Sequence, residues 1–223
     1  MTVPFTVKRP AQGVWWLHFK SGEGLVHQVD PAFHLLRFQE HYESPGFKGK
    51  VFSWREYVAW YKVQRGSFSY PWDWAGYNFP GHILTPFRQG LFNPLTLREK
   101  AILAALTEVG EDGYVIATQG RDPQARQHEL AHAFWHLDPA YQVEVRAILE
   151  GGDYRRQEAR LAEGNGYDPS VFLDEIQACA VAGDRHASPG PRRAKAIGRV
   201  FAAALERRQL AIGAALENPG QPG

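Results

Sequence analysis

The chain has 223 residues and a mass of 25.1 kDa, enough for one large domain with a proper core and no need of a stapling disulfide. Hydrophobic residues at 44%, charged residues at 22% and a mean hydropathy of -0.40 exclude a disordered or membrane-embedded composition. Lys and Arg number 25 against 24 Asp and Glu, a net charge of +1, so no global field draws the protein to nucleic acid or to an anionic membrane.

The start, MTVPFTVKRPAQGVWW, lacks a charged segment followed by a long apolar run, and nothing later approaches the ~20 apolar residues of a spanning helix. The chain therefore reads as cytoplasmic. Residues 13–19 (GVWWLHF) and 24–28 (GLVHQ) read as two short strands around a turn at 21–24. Asp30-Pro31 opens a short helix candidate. Ser53 and Glu56 have capping-box spacing, and Trp54, Tyr57, Val58 and Tyr61 recur at helical intervals, which predicts a helix over 53–63. The Gly-, Pro- and aromatic-rich stretch 66–95 reads as an ordered loop region. Its Tyr70, Trp72, Trp74, Tyr77, Phe79 and His82 either pack a core or line apolar subsites.

Thr96 and Glu99 form a second capping box, predicting a helix through 109, and GYVIAT (113–118) reads as a buried strand. Asp122-Pro123, Asp138-Pro139 and Asp168-Pro169 each place an N-cap oxygen before a residue suited to the first helical turn, predicting helices near 123–137, 139–150 and 169–182. A shorter helix covers RRQEARLAEGNG, stopped by Gly164 and Gly166, and an Ala-rich helix runs over 192–216 before a frayed tail. The basic run Arg192, Arg193, Lys195 and Arg199 reads as a solvated helix face, not a nucleic-acid contact. The expectation is one α+β, helix-rich domain with a small sheet: an aromatic-rich N-terminal half (1–110), a central core segment (111–187), and a C-terminal helix with its tail (188–223).

A single cysteine, Cys179, excludes cysteine-based zinc modules and a CxxC redox pair, so any metal must be held by His and carboxylates. His128-Glu129-Leu130-Ala131-His132 is an HExxH motif: histidines at i and i+4 share one helix face and can reach one cation, with Glu129 beside them. With nine His, composition alone produces one such motif in roughly 2% of chains of this kind, so its context must decide. On a helical wheel Leu130, Ala133, Phe134 and Leu137 form the apolar stripe, and His128, Glu129, His132 and His136 lie beside it, as in the wall of a cleft.

A catalytic zinc site needs a third protein ligand. His136 sits at i+8 from His128, about 12 Å along a straight helix, which suits a substrate-binding neighbour better than a ligand. Asp138 is accounted for as the N-cap before Pro139. Glu175 falls inside the apolar arc of Val171, Phe172, Ile176, Cys179 and Ala182, whereas Asp174 and Gln177 fall outside it. A buried carboxylate needs a cationic partner, either a metal held by His128 and His132 or an arginine such as Arg126 or Arg185.

HELAH on one helix and Glu175 within FLDEIQA on a later one resemble, over residues 113–186, the gluzincin branch of the zincin metallopeptidases. The resemblance implies a zincin-like domain with one Zn2+ on His128, His132 and Glu175 and with Glu129 as general base. It implies amide-bond hydrolysis in a peptide or protein substrate, laid against a sheet edge similar to the 113–118 strand. An oxyanion donor is then expected from Tyr167, Tyr154, His136 or His186, and Asp174 is placed to orient a ligand imidazole from behind. The alternative is a non-catalytic interaction module whose metal site is structural or vestigial.

Overall fold

A computed structural model describes residues 5–19, 36–70, 76–120, 122–165 and 167–217. Four strands, β1 (Phe5–Ala11), β2 (Val14–Phe19), β3 (Gly76–Pro80) and β4 (Tyr114–Gln119), form a sheet of order β1-β2-β4-β3. The central pair β2 and β4 is parallel, in register from Val14 opposite Tyr114 to Phe19 opposite Gln119, and the outer strands are antiparallel to their neighbours. Strand side chains alternate, and here both faces are covered. Val14, Trp16, Tyr114 and Ile116 enter one core, and Trp15, Leu17, Phe19, Val115 and Ala117 enter the other.

The second of these cores is aromatic. It is filled from α1 (Arg37–Glu43), α2 (Trp54–Arg65), a short α3 (Thr85–Arg88) and α4 (Leu97–Ala105), with Phe38, Tyr57, Tyr70, Tyr77, Phe79, Phe87 and Phe92 all essentially inaccessible. Phe87 and Phe92 stack with centroids 3.8 Å apart. Both capping boxes form as expected, Ser53 with Glu56 and Thr96 with Glu99. Helix α4 ends earlier than the sequence suggests, because the chain turns after Ala105 to bury Leu106 and Val109. Glu99 has a second task. Its carboxylate accepts two 2.8 Å hydrogen bonds from Arg37, a buried bidentate pair that ties α4 to α1.

The other face carries α5 (Pro123–Leu137), α6 (Pro139–Leu149), α7 (Arg155–Arg160), α8 (Phe172–Ala182) and the long α9 (Pro191–Glu217), close to the boundaries read from the Asp-Pro pairs and the Ala-rich run. Asp122 accepts from the backbone N–H of Gln124 and Ala125, and Asp138 from Tyr141, so both act as N-caps. The fold is α+β and helix-rich with a small mixed sheet. Among the described residues no helix is long and apolar enough to cross a membrane.

Three elements depart from the sequence expectation. β2 takes β1 as its antiparallel partner, across a turn at Gln12–Gly13 in which Gly13 has φ 76°. β1 carries no apolar alternation because it is a largely exposed edge containing Lys8, Arg9 and Pro10. β3 lies within the stretch that reads as loop; only five residues long, it ends on Pro80, which an edge strand tolerates. α1 escapes the sequence reading because the residues it buries include Arg37, Gln39 and Glu40, a polar set that no apolar periodicity reveals. The strand expected at 24–28, the helix expected from Asp30-Pro31, and Trp72 and Trp74 lie outside the described residues.

Candidate metal centre

Helices α5 and α8 pack side by side and bring the HExxH histidines against Glu175. His128 Nε2 and His132 Nε2 are 3.1 Å apart, His128 Nε2 is 3.5 Å from Glu175 Oε2, and His132 Nε2 is 3.6 Å from Glu175 Oε1. Donors placed ~2.0–2.1 Å from a tetrahedral zinc ion lie about 3.3–3.4 Å from one another, so this triangle fits one such ion. The charged partner that burial demands for Glu175 is therefore the histidine pair. Arg126 instead lies over the Trp16 ring, and Arg185 is exposed at the mouth of the cleft.

The ring of His132 is held from behind. Its Nδ1 lies 2.9 Å from Asp174 Oδ1, which also accepts from Gln177 Nε2 at 2.9 Å, and the Tyr141 hydroxyl donates to Gln177 Oε1 at 2.6 Å. This buried chain fixes the ring so that Nε2 is the free donor atom. Gln177 is completely buried, contrary to its place on the helical wheel, because α8 is covered on more than one side. Burial disfavours a charge on His132, but Asp174 and Glu175 outweigh it and push the ring up to about 9. On Glu175 burial acts upward, yet His132 and His128 hold the carboxyl below its usual range.

Glu129 is also buried, and it is placed by the sheet. Asn78 Nδ2 on β3 donates to Glu129 Oε2 at 2.8 Å, and the Tyr114 hydroxyl on β4 donates to Asn78 Oδ1 at 2.5 Å. Gly76 presses its backbone on the same carboxylate: a Cβ there would stand 2.3 Å from Glu129 Oε1. Burial raises the Glu129 carboxyl above its ordinary range, opposed by the two histidines and by Asn78. The sequence gives no sign of Gly76 and Asn78, since the strand that carries them reads as loop.

These groups line a cleft of about 520 Å³ that includes His128, Glu129, His132, Tyr167, Glu175 and His186. The sheet edge bordering it is β3, not the expected 113–118 strand, which as β4 has neighbours on both sides. Tyr167 lies at the cleft wall, its phenol kept neutral by burial among Glu175, Glu43 and Glu129. His186 is exposed at the rim, its backbone tied to Asp184 and Arg160. His136 is exposed against Tyr114 and does not join the cleft lining. Tyr154 donates its hydroxyl to the Leu149 carbonyl at 2.8 Å, which removes it from the oxyanion candidates. Comparison with protein-family models, with characterised proteins and with solved structures finds nothing that matches this chain.

Proposed function

We propose that the protein is a zinc-dependent metallopeptidase. One observation carries the reading: three donor atoms in a triangle of 3.1–3.6 Å, with a buried, hydrogen-bonded Glu129 one residue along the same helix, all open to one cleft. His128, His132 and Glu175 would hold the ion, which when bound would supply a Lewis acid to polarise an amide carbonyl and acidify water.

The remaining work belongs to the chain. Glu129 removes a proton from water and returns it to the leaving amine, and a carboxyl held above its usual range by burial suits a group that must carry that proton between two steps. Asn78 fixes one Glu129 oxygen and the backbone of Gly76 limits the movement of the other. Asp174 sets the tautomer of His132. Tyr167 donates its neutral phenol to the oxyanion that develops on the substrate. The edge of β3 offers backbone groups to an extended peptide. A reducing cytoplasm suits the buried free thiol of Cys179.

A structural metal site would not need a carboxylate beside it, and the hydrogen bond from Asn78 that places Glu129 favours catalysis over an interaction module. The test is turnover of a fluorescence-quenched peptide library by wild type and by Glu129→Gln. Wild type should cleave, lose activity to a chelator and regain it with zinc, and the variant should be slower by at least about 10²-fold. Equal turnover by both proteins would remove Glu129 as the base.

A further inference from the structure

A second cavity, about 430 Å³, adjoins the metal cleft and shares Gln39, Glu43 and Tyr167 with it. Its inner wall is α1, which places Gln39, Glu40 and Glu43 on the cavity. Its other wall is α2, where the half-buried Trp60 borders the cavity with the buried rings of Tyr57 and Tyr61 packed against it at centroid distances of 5.8 to 6.4 Å. Glu163 and Asp168 add acids to the lining, and Arg65 is the one arginine among the described residues there.

One acceptor of the inner wall, Gln39 Oε1, lacks a donor among the described residues. Gln39 is 7% exposed and lines both cavities; its Nε2 donates to Glu43 Oε1 at 2.7 Å, but its Oε1 has no hydrogen-bond partner among the described residues. Glu40 accepts from the Tyr70 hydroxyl at 2.6 Å and from the Tyr57 hydroxyl, and no ion pair joins it to a described cation. Burial accordingly holds the Glu40 carboxyl up at about 7 and that of Glu43 at about 8. A buried orphan acceptor beside two carboxyls, facing aromatic rings, is a lining that an entering cation with N–H groups would satisfy.

We propose that this cavity is a subsite for a basic side chain, lysine or arginine, of the substrate. The proposal rests on the metallopeptidase reading for the neighbouring cleft. Two features select a side chain over a peptide's free α-ammonium. The cavity is far larger than an ammonium group requires, and its aromatic wall offers an apolar face to an aliphatic stem.

The experiment uses the full-length zinc-loaded protein and N-acetylated quenched peptides that differ at single positions by Lys, Arg, Leu or Glu. The expected result is a preference for Lys or Arg at one fixed distance from the cleaved bond, at least about tenfold in kcat/KM over Leu and more over Glu. Glu40→Gln, an isosteric change at a residue that lines this cavity and not the metal cleft, should erase that preference while cleavage of the Leu peptide continues. Cleavage with no preference among Lys, Leu and Glu overturns the subsite and leaves the peptidase reading standing. A preference that appears only in peptides with a free N-terminus, whatever their side chains, assigns the cavity to the α-ammonium and overturns the side-chain proposal. If no peptide is cut, the peptidase reading fails by itself and the subsite is read by anisotropy of a labelled lysine peptide. Binding at least about tenfold weaker in the Glu40→Gln variant supports the subsite, and equal binding overturns it.

Discussion

Asp174 and His132 are joined by a 2.9 Å contact between a carboxylate oxygen and Nδ1, and the same oxygen accepts from Gln177, whose carbonyl is in turn held by the Tyr141 hydroxyl. The proton on His132 is thereby assigned to the side facing Asp174, and Nε2 is left for the cleft. Asp174→Asn should weaken zinc binding by about 10- to 100-fold, measured by chelator competition, with the circular dichroism spectrum unchanged. Tyr141→Phe should have a smaller effect in the same direction, since two links separate it from the ring. Wild-type zinc affinity in the Asp174→Asn variant would show that the contact does not tune the ligand.

Gly76 and Glu129 supply a second test, one that separates metal binding from proton transfer. The missing Cβ of Gly76 leaves the room that the Glu129 carboxylate occupies. Gly76→Ala should push that carboxylate off its hydrogen bond with Asn78 and lower kcat by about 10²-fold or more, while zinc content stays that of wild type. Loss of zinc in this variant would mean that β3 supports the ligands rather than the base.

The Arg37–Glu99 pair predicts a stability effect away from the site. Both side chains are buried, and Arg37 also donates to the carbonyls of Phe52 and Pro94 at 3.2 Å. Glu99→Ala leaves a buried guanidinium unpaired and opens the capping box of α4, so urea denaturation should show a loss of roughly 3–5 kcal/mol. A loss below about 1 kcal/mol would mean that water reaches Arg37.

Glu40 predicts a pH dependence. Burial, opposed by the hydrogen bonds of Tyr70, Tyr57 and Ser44, lifts its folded-state pKa to about 7 from 4.5. Between those values the unfolded chain has released the proton and the native protein keeps it, so this residue makes stability fall as pH rises. The full native advantage is present below about 4.5 and is lost by about 7. Glu40→Gln can still accept from Tyr70, and it should match wild type at about pH 4.5 and exceed it at about pH 8 by on the order of 3 kcal/mol. Urea midpoints at the two values check this; parallel profiles for the two proteins would place the ionisation elsewhere.

What the sequence makes legible follows from where the signals are local. Asp-Pro caps, two capping boxes and an Ala-rich run are decided within a few residues, and the helices they announce are present. His128 and His132 are a one-turn spacing, and Glu175 is recognisable because a carboxylate interrupts an apolar arc. By contrast, Gly76 and Asn78 act on Glu129 from a strand some fifty residues earlier, whose flanking Gly and Pro read as turns. The acidic wall of α1 is invisible for a related reason: periodicity arguments look for buried apolar residues, and Gln39 and Glu40 are buried polar ones. The aromatic excess resolves mainly into packing on one face of the sheet, with Tyr57, Trp60 and Tyr61 also bordering a cavity.

Whether His128, His132 and Glu175 hold one zinc ion is read from the zinc content of purified, zinc-loaded and desalted protein. Wild type should retain about one equivalent per chain, and His132→Ala and Glu175→Gln should each lose it under the same conditions while remaining folded by circular dichroism. Near-stoichiometric zinc in both variants, or none in the wild type, would contradict the assignment.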